Sequence, residues 1–185
     1  MRRVILVIVS SAMLLPSFAD AVAADAGSVA SVGAYSQESD SIVIPRSFGS
    51  IELGEYLTER MVTDSFGLEV RYRTDLLYDI IIHTISTPVT YFGSLWDEIS
   101  IDKSRDEYTA LSVSFTVFGK DFDDLIGLYN RMKDDLSDKW GGGKETSYGL
   151  SEVTVMWDNS KTVCRLCARV REDIPVLTLS FIDKT

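Results

Sequence analysis

One histidine, His83, and two cysteines, Cys164 and Cys167, are the only imidazole and thiol groups in this chain of 185 residues. A single histidine excludes a multi-histidine zinc site, and a Cys/Cys/His set would need a further ligand. No Gly-x-Ser-x-Gly elbow, P-loop or dinucleotide fingerprint occurs in the sequence. The run Gly141-Gly142-Gly143-Lys144 follows a helical pattern instead of opening one, so it offers no helix N-terminus to a phosphate and reads as a flexible cap loop. No catalytic residue, cofactor or metal is assigned on these grounds. Positive charge is also scarce. Lys and Arg number 18 against 28 Asp and Glu, a formal charge of −10. That balance argues against nucleic acid and anionic membrane surfaces as partners, because little here neutralises phosphate. No block of like charge is long enough to form an acidic tail.

Long apolar runs are missing except at the N-terminus. There Met1-Arg2-Arg3 precedes an apolar stretch from Val4 to Leu15, Pro16-Ser17-Phe18 breaks it, and Ala19 to Ala24 supplies small residues. The stretch is too short for a bilayer, which takes about 20 helical residues. The pattern predicts a cleaved secretory signal peptide over 1–24, cut after Ala23 or Ala24, and hence an exported protein, periplasmic or extracellular, with no membrane span left after cleavage. Residues 25–44, rich in Ala, Ser, Gly and Val, read as a flexible N-terminal arm. Residues 45–185 read as a single domain.

The clearest element is a helix from Asp121 to Trp140. Phe122, Leu125, Ile126, Tyr129, Met132, Leu136 and Trp140 fall within an arc of about 120° at helical spacing. Asp121 suits the N-cap, Asp123 and Asp124 suit the positive end of the helix dipole, and Gly141 suits the stop. Lys133 falls inside the apolar arc, where its stem packs and its ammonium reaches for water. A shorter helix is expected over Ile51 to Ser65, closed by Gly67.

Elsewhere the periodicity is that of strands. Leu68 to Arg73 alternates as an exposed strand, and Tyr78 to Ser86 is apolar on both faces. Val89 to Phe92 leads into Leu95 to Ile101, and Asp102 to Glu107 reads as a charged turn. Tyr108 to Phe118 alternates apolar residues with Ser112, Ser114 and Thr116. Val153 to Trp157, a turn at Asp158-Asn159-Ser160, Thr162 to Val170 and Val176 to Ile182 complete the chain. The expected class is α+β: an antiparallel sheet of about five to six strands, with the long helix on one face and the shorter helix N-terminal to it.

A helix ending Leu136-Ser137-Asp138-Lys139-Trp140-Gly141, then Trp157-Asp158 with Lys161-Thr162, then a closing strand ending Phe181-Ile182-Asp183, resembles a pattern in small secreted bacterial proteins of unknown function. In those a helix ends Leu-x-x-Lys-aromatic-Gly, and Trp-x-Asp and Thr mark a hairpin. The resemblance spans Val89 to Asp183 and implies a fold and export; it carries over no functional residue.

Cys164 and Cys167 form a C-x-x-C, but on a strand their side chains face opposite ways with Cα atoms ~10 Å apart. That favours structural free thiols over a bridge across a bulge or a redox or metal pair. His83 reads as a core or edge histidine. Among carboxylates, Asp97, Glu98 and Asp183 are the candidates for a hydrolytic pair. Aromatic residues near strands, together with the irregular Lys133, give a candidate ligand or partner surface of Tyr91, Trp96, Trp157 and Lys133, although core packing explains the aromatics equally well. The function expected is that of an exported, non-catalytic binding or structural protein with a protein or envelope component as partner. The alternatives are a small carboxylate-dependent hydrolase of the envelope and an inhibitor-like protein-binding module.

Overall fold

The computed structural model describes residues 42–67, 70–86, 88–147 and 152–185. The signal segment expected over 1–24 lies outside them, as does the expected arm up to residue 41. The first described residues are held in place: Asn159 Nδ2 donates to the Ile42 carbonyl at 2.9 Å, and Ile44 is buried.

In chain order, the short strands β1 (Ser47–Phe48) and β2 (Ile51–Glu52) pair as a hairpin, followed by helix α1 (Glu59–Phe66). Strands β3 (Val70–Asp75) and β4 (Ile80–Ile85) come next, then a small hairpin of β5 (Val89–Tyr91) and β6 (Ser94–Trp96). Strands β7 (Glu98–Ser104) and β8 (Ala110–Phe118) lead to helix α2 (Phe122–Trp140). The chain closes with β9 (Lys144–Ser147), β10 (Glu152–Asp158), β11 (Thr162–Arg171) and β12 (Ile174–Asp183). Eight of these strands form one antiparallel sheet in the order β3-β4-β7-β8-β12-β11-β10-β9.

This overturns the expected α+β class with its sheet of about five to six strands. The molecule is mostly β, an eight-stranded antiparallel sheet with two small two-stranded sheets and two helices among the described residues. Three local patterns account for the difference. Asp102 to Glu107 looked like a charged turn, yet β7 continues through Ser104. Asp102 points to the polar face and accepts a hydrogen bond from Ser112 Oγ at 2.8 Å, while Lys103 turns inward with its ammonium 4.6 Å from the Tyr108 ring centroid. Lys144, the last residue of the expected cap loop, instead opens the polar edge strand Lys144–Ser147, which pairs with β10. Ile51 to Ser65 is not one helix. Ile51, Leu53 and Leu57 are buried from extended or turn backbone, and the helix starts at Glu59 with Thr58 as N-cap.

Helix α2 has the ends its residues dictate. Asp121 Oδ1 accepts from the Asp124 amide at 2.8 Å, and Gly141 at φ 80° donates its amide to the Ser137 carbonyl at 2.8 Å. Leu125, Tyr129, Met132, Leu136 and Trp140 are buried, and the helix packs against β11 and β12. It is not the sheet's only cover. The core centres on Phe115 of β8 and Phe181 of β12. Phe48 lies 4.9 Å from Phe181, Tyr91 stacks on Phe115 at 4.6 Å, and Trp140 reaches Phe181 at 6.4 Å. The β1–β2 and β5–β6 hairpins therefore share the apolar face with α2. Gly143 is a packing residue rather than part of a flexible loop, since a Cβ there would come within 2.9 Å of the Trp157 indole nitrogen.

Candidate functional site

The second face of the sheet is built from the alternate residues of the same strands. Strand alternation that turns Ile99 and Ile101 into the core turns Glu98, Ser100 and Asp102 the other way. Antiparallel register sets Ser100 beside Thr84 of β4 and Ser114 of β8, and Asp102 beside Ile82 and Ser112. Ser114 Oγ then donates to Ser180 Oγ of β12 at 2.9 Å. The result is a hydroxyl-rich floor, with an apolar core on one side of the sheet and a polar surface on the other.

That surface holds a depression of about 550 Å³ lined by Arg71, Tyr72, Arg73, Ile82, Thr84, Ser86, Glu98, Ser100, Asp102 and Arg171. A smaller one of about 200 Å³ adjoins it, shares Asp102, and is lined further by Ser112, Ser114, Arg165 and Ser180. Arg71 and Arg73 come from β3, whereas Arg171 ends β11, five places away in the strand order. That these three line one depression shows that the sheet curls across this face.

Burial pushes the Glu98 carboxyl above its ordinary range, and the charges of Arg171, Arg71 and Arg73 pull against that shift. Burial likewise raises Asp102, against the Ser112 hydrogen bond and the charge of Arg73, with Asp75 adding to the rise. Among the described residues, none of the ion pairs involves Arg71, Arg73 or Arg171.

The residues singled out from sequence do not assemble here. Trp96 is fully buried and donates Nε1 to the Tyr91 carbonyl at 2.9 Å; Trp157 is buried and donates to the Gly141 carbonyl at 2.9 Å. Tyr91 is half-buried against Phe115. Lys133 pairs with Glu145 at 3.3 Å and lies 5.8 Å from the Tyr129 ring centroid. The three aromatics are core or core-edge groups, and Lys133 belongs to α2. Of the carboxylates, Asp97 accepts from the Phe118 amide at 2.9 Å and Asp183 pairs with Arg46 at 2.7 Å, both structural roles. Glu98 alone lines the depression. Arg71, Arg73, Asp102 and Arg171 were not foreseen, although the Arg-x-Arg alternation of an exposed strand is the signal that marks the first two.

The chain matches no family model, no curated protein and no solved structure.

The chemistry open to the depression is limited. Glu98 and Asp102 stand four residues apart on one strand, which puts their Cα atoms about 13 Å apart at strand rise. Carboxyl pairs that hydrolyse glycosides stand roughly 5–9.5 Å apart. His83 lies on the opposite face, 2% exposed, with neither ring nitrogen hydrogen-bonded. Cys164 and Cys167 are free and buried, and burial pushes the Cys164 thiol up. Among the described residues no group of three or more His, Cys, Asp or Glu is placed to hold a metal ion, and no helix is long and apolar enough to cross a membrane.

Proposed function

We propose that this protein is an exported, non-catalytic binding protein that takes a small polar ligand into the depression on the polar face of its sheet. The observation that carries the reading is the depression itself, concave and lined mainly by charged and hydroxyl side chains. The wide spacing of Glu98 and Asp102, with His83 on the other face, favours binding over carboxylate-dependent hydrolysis. Export is supported by the basic start, apolar stretch and small-residue site over 1–24. An envelope setting fits a ligand drawn from cell-wall or periplasmic solutes.

The test is a thermal-shift screen of the protein against polar metabolites and envelope glycans, run beside a Ser100→Trp variant that fills the depression. A ligand at ~100 times its Kd stabilises a fold by about 2.7 kcal/mol, which a melting curve resolves. The expected result is at least one ligand that stabilises the wild type and not the filled variant. A panel with no shift, or shifts that persist in Ser100→Trp, would remove the reading.

One observation favours a second reading, the inhibitor-like protein-binding module. Leu76, Leu77 and Tyr78 are 77%, 77% and 63% exposed at the apex of the β3–β4 turn. The turn is well held: the Leu77 amide donates to Asp75 Oδ1 at 3.0 Å, and Arg105 pairs with Asp79 at 3.2 Å. Three adjacent exposed apolar residues on a braced apex suit insertion into a pocket of a protein partner. On this reading Leu76→Ser with Leu77→Ser abolishes partner capture while the melting temperature stays unchanged.

A further inference from the structure

Three arginines line the depression from its two sides. Arg71 and Arg73, two residues apart on β3, share a face. Arg171 enters from the end of β11, where it pairs with Ile174 across a turn whose two residues, Glu172 and Asp173, both hold positive φ, 52° and 65°. A turn this short leaves Arg171 little freedom of backbone position. Three arginines outnumber the two carboxylates of the lining, Glu98 and Asp102, and none of the three is in an ion pair among the described residues. The floor opposite them is made of acceptors and hydroxyls: Glu98, Ser100, Asp102 and Thr84. Ile82 is the one aliphatic side chain of the lining.

We infer that the ligand is an anionic, hydroxyl-rich small molecule, a sugar acid or sugar phosphate. The arginines hold its anionic group, and the floor accepts hydrogen bonds from its hydroxyls. The inference rests on the reading of the depression as a binding site. The planar guanidinium fork matches carboxylate and phosphate oxygens, and such charge-assisted hydrogen bonds are the strong ones. A carboxylate in its charged form only accepts, so at Glu98 and Asp102 a hydroxyl donor is the matching group and a second anionic group is not. A lining with so little apolar surface gives nothing to a lipid or a large aromatic ligand.

Four hexoses that differ in one substituent test this by calorimetry: glucose, glucuronate, glucose 6-phosphate and glucosamine. Expected is binding of one or both acids at least tenfold tighter than glucose, with the carboxylate and phosphate arms telling the two anion sources apart. Arg73→Gln and Arg171→Gln should each weaken the acid about tenfold and leave glucose almost unchanged, since each removes charge-assisted hydrogen bonds and not hydroxyl acceptors. Raising salt from ~50 to ~500 mM should weaken the acids more than glucose. Arg73 and Arg171 are exposed, and an unchanged melting temperature confirms that the variants fold. Glucose binding as tightly as the acids, with the arginine variants indifferent, overturns the anionic ligand and leaves the binding reading standing. Tighter binding of glucosamine overturns it as well. So does failure of all four probes to saturate by ~10 mM, a Kd range that calorimetry still reaches; the binding reading is then judged by the wider screen and the Ser100→Trp control.

Discussion

His83 sits in the core without a partner for either ring nitrogen, its ring edge-on to Tyr72 at 4.9 Å. Burial lowers its pKa, the buried ammonium of Lys103 lowers it further, and Glu59 pulls the other way. A histidine whose folded pKa lies below its unfolded one is protonated first in the unfolded chain as pH falls. Its contribution to stability is therefore complete above the unfolded value, about 6.5, and is lost as pH drops from there toward the folded value. His83→Phe keeps a ring and removes two unsatisfied nitrogens. It should leave the protein as stable at pH 7 or more so, by about 1 kcal/mol. It should also flatten the loss between pH 7 and 5, since no other histidine is present. Urea unfolding at both pH values decides, and an unaltered pH slope would count against the assignment. Cys164 and Cys167 give a second residue-level expectation. Both are buried and free, and burial raises the Cys164 thiol. Neither should react with a thiol reagent in the native protein, and both should react in denaturant. A native protein that gives no free thiol even after unfolding would require a bridge that the strand geometry does not offer.

The β11–β12 turn is the element whose sequence agrees least with its geometry. Glu172 and Asp173 both take positive φ in a two-residue hairpin, a conformation that Asn-Gly adopts with far less strain. Glu172→Asn with Asp173→Gly should stabilise the fold by about 1 kcal/mol, seen as a higher melting temperature. A fall would mean that the acidic side chains are themselves held. Helix α2 was legible because stripe, N-cap and terminal glycine agree, and β8 and β10 were legible because strict alternation meets an apolar layer on one face. Strand β9 was not, since an edge strand with exposed Lys144 and Glu145 carries no apolar signal. The end of β7 was masked because Asp102 and Lys103 are charged, and their partners, Ser112 and the Tyr108 ring, are set against them only once β7 and β8 pair. For the same reason the depression was illegible. Arg71 and Arg171 are 100 positions apart in the numbering, and only sheet curvature brings them together. Glu98 could be named as a carboxylate, but not its neighbours.

At the scale of the whole molecule, Arg46 joins the N-terminal segment to the end of the chain. Its guanidinium donates to the Leu53 carbonyl at 2.6 Å, the Lys161 carbonyl at 2.7 Å, Thr162 Oγ1 at 2.9 Å and Asp183 Oδ1 at 2.7 Å. Those partners lie in the N-terminal segment, the β10–β11 turn, β11 and β12, so one side chain closes the covered face of the sheet at its corner. Burial on its own would raise the Asp183 carboxyl. Hydrogen bonds from Thr185 and Arg46, with the Arg46 charge, outweigh that effect and hold the carboxyl below its ordinary value. A depressed carboxyl contributes stability that is present above the unfolded pKa, about 3.9, and lost as pH falls through the folded value. Glu98 and Asp102 act in the opposite sense. Their raised values make the folded state the better proton acceptor, so mild acid relieves a cost there. Arg46→Met keeps the stem and removes the donors. With the ion pair part-buried, the expected loss is about 2 kcal/mol, below the range for a fully buried pair. The loss should be local before it is global. Hydrogen exchange should rise first in β1, β2 and α1, while β8, β11 and β12 stay protected, because those strands lie at the centre of the sheet. Adding Asp183→Asn to Arg46→Met should then cost little more, since the unpaired carboxylate left by the first change is neutralised by the second. Uniform loss of protection across the sheet in Arg46→Met would show instead that the N-terminal segment and the eight-stranded sheet unfold as one unit.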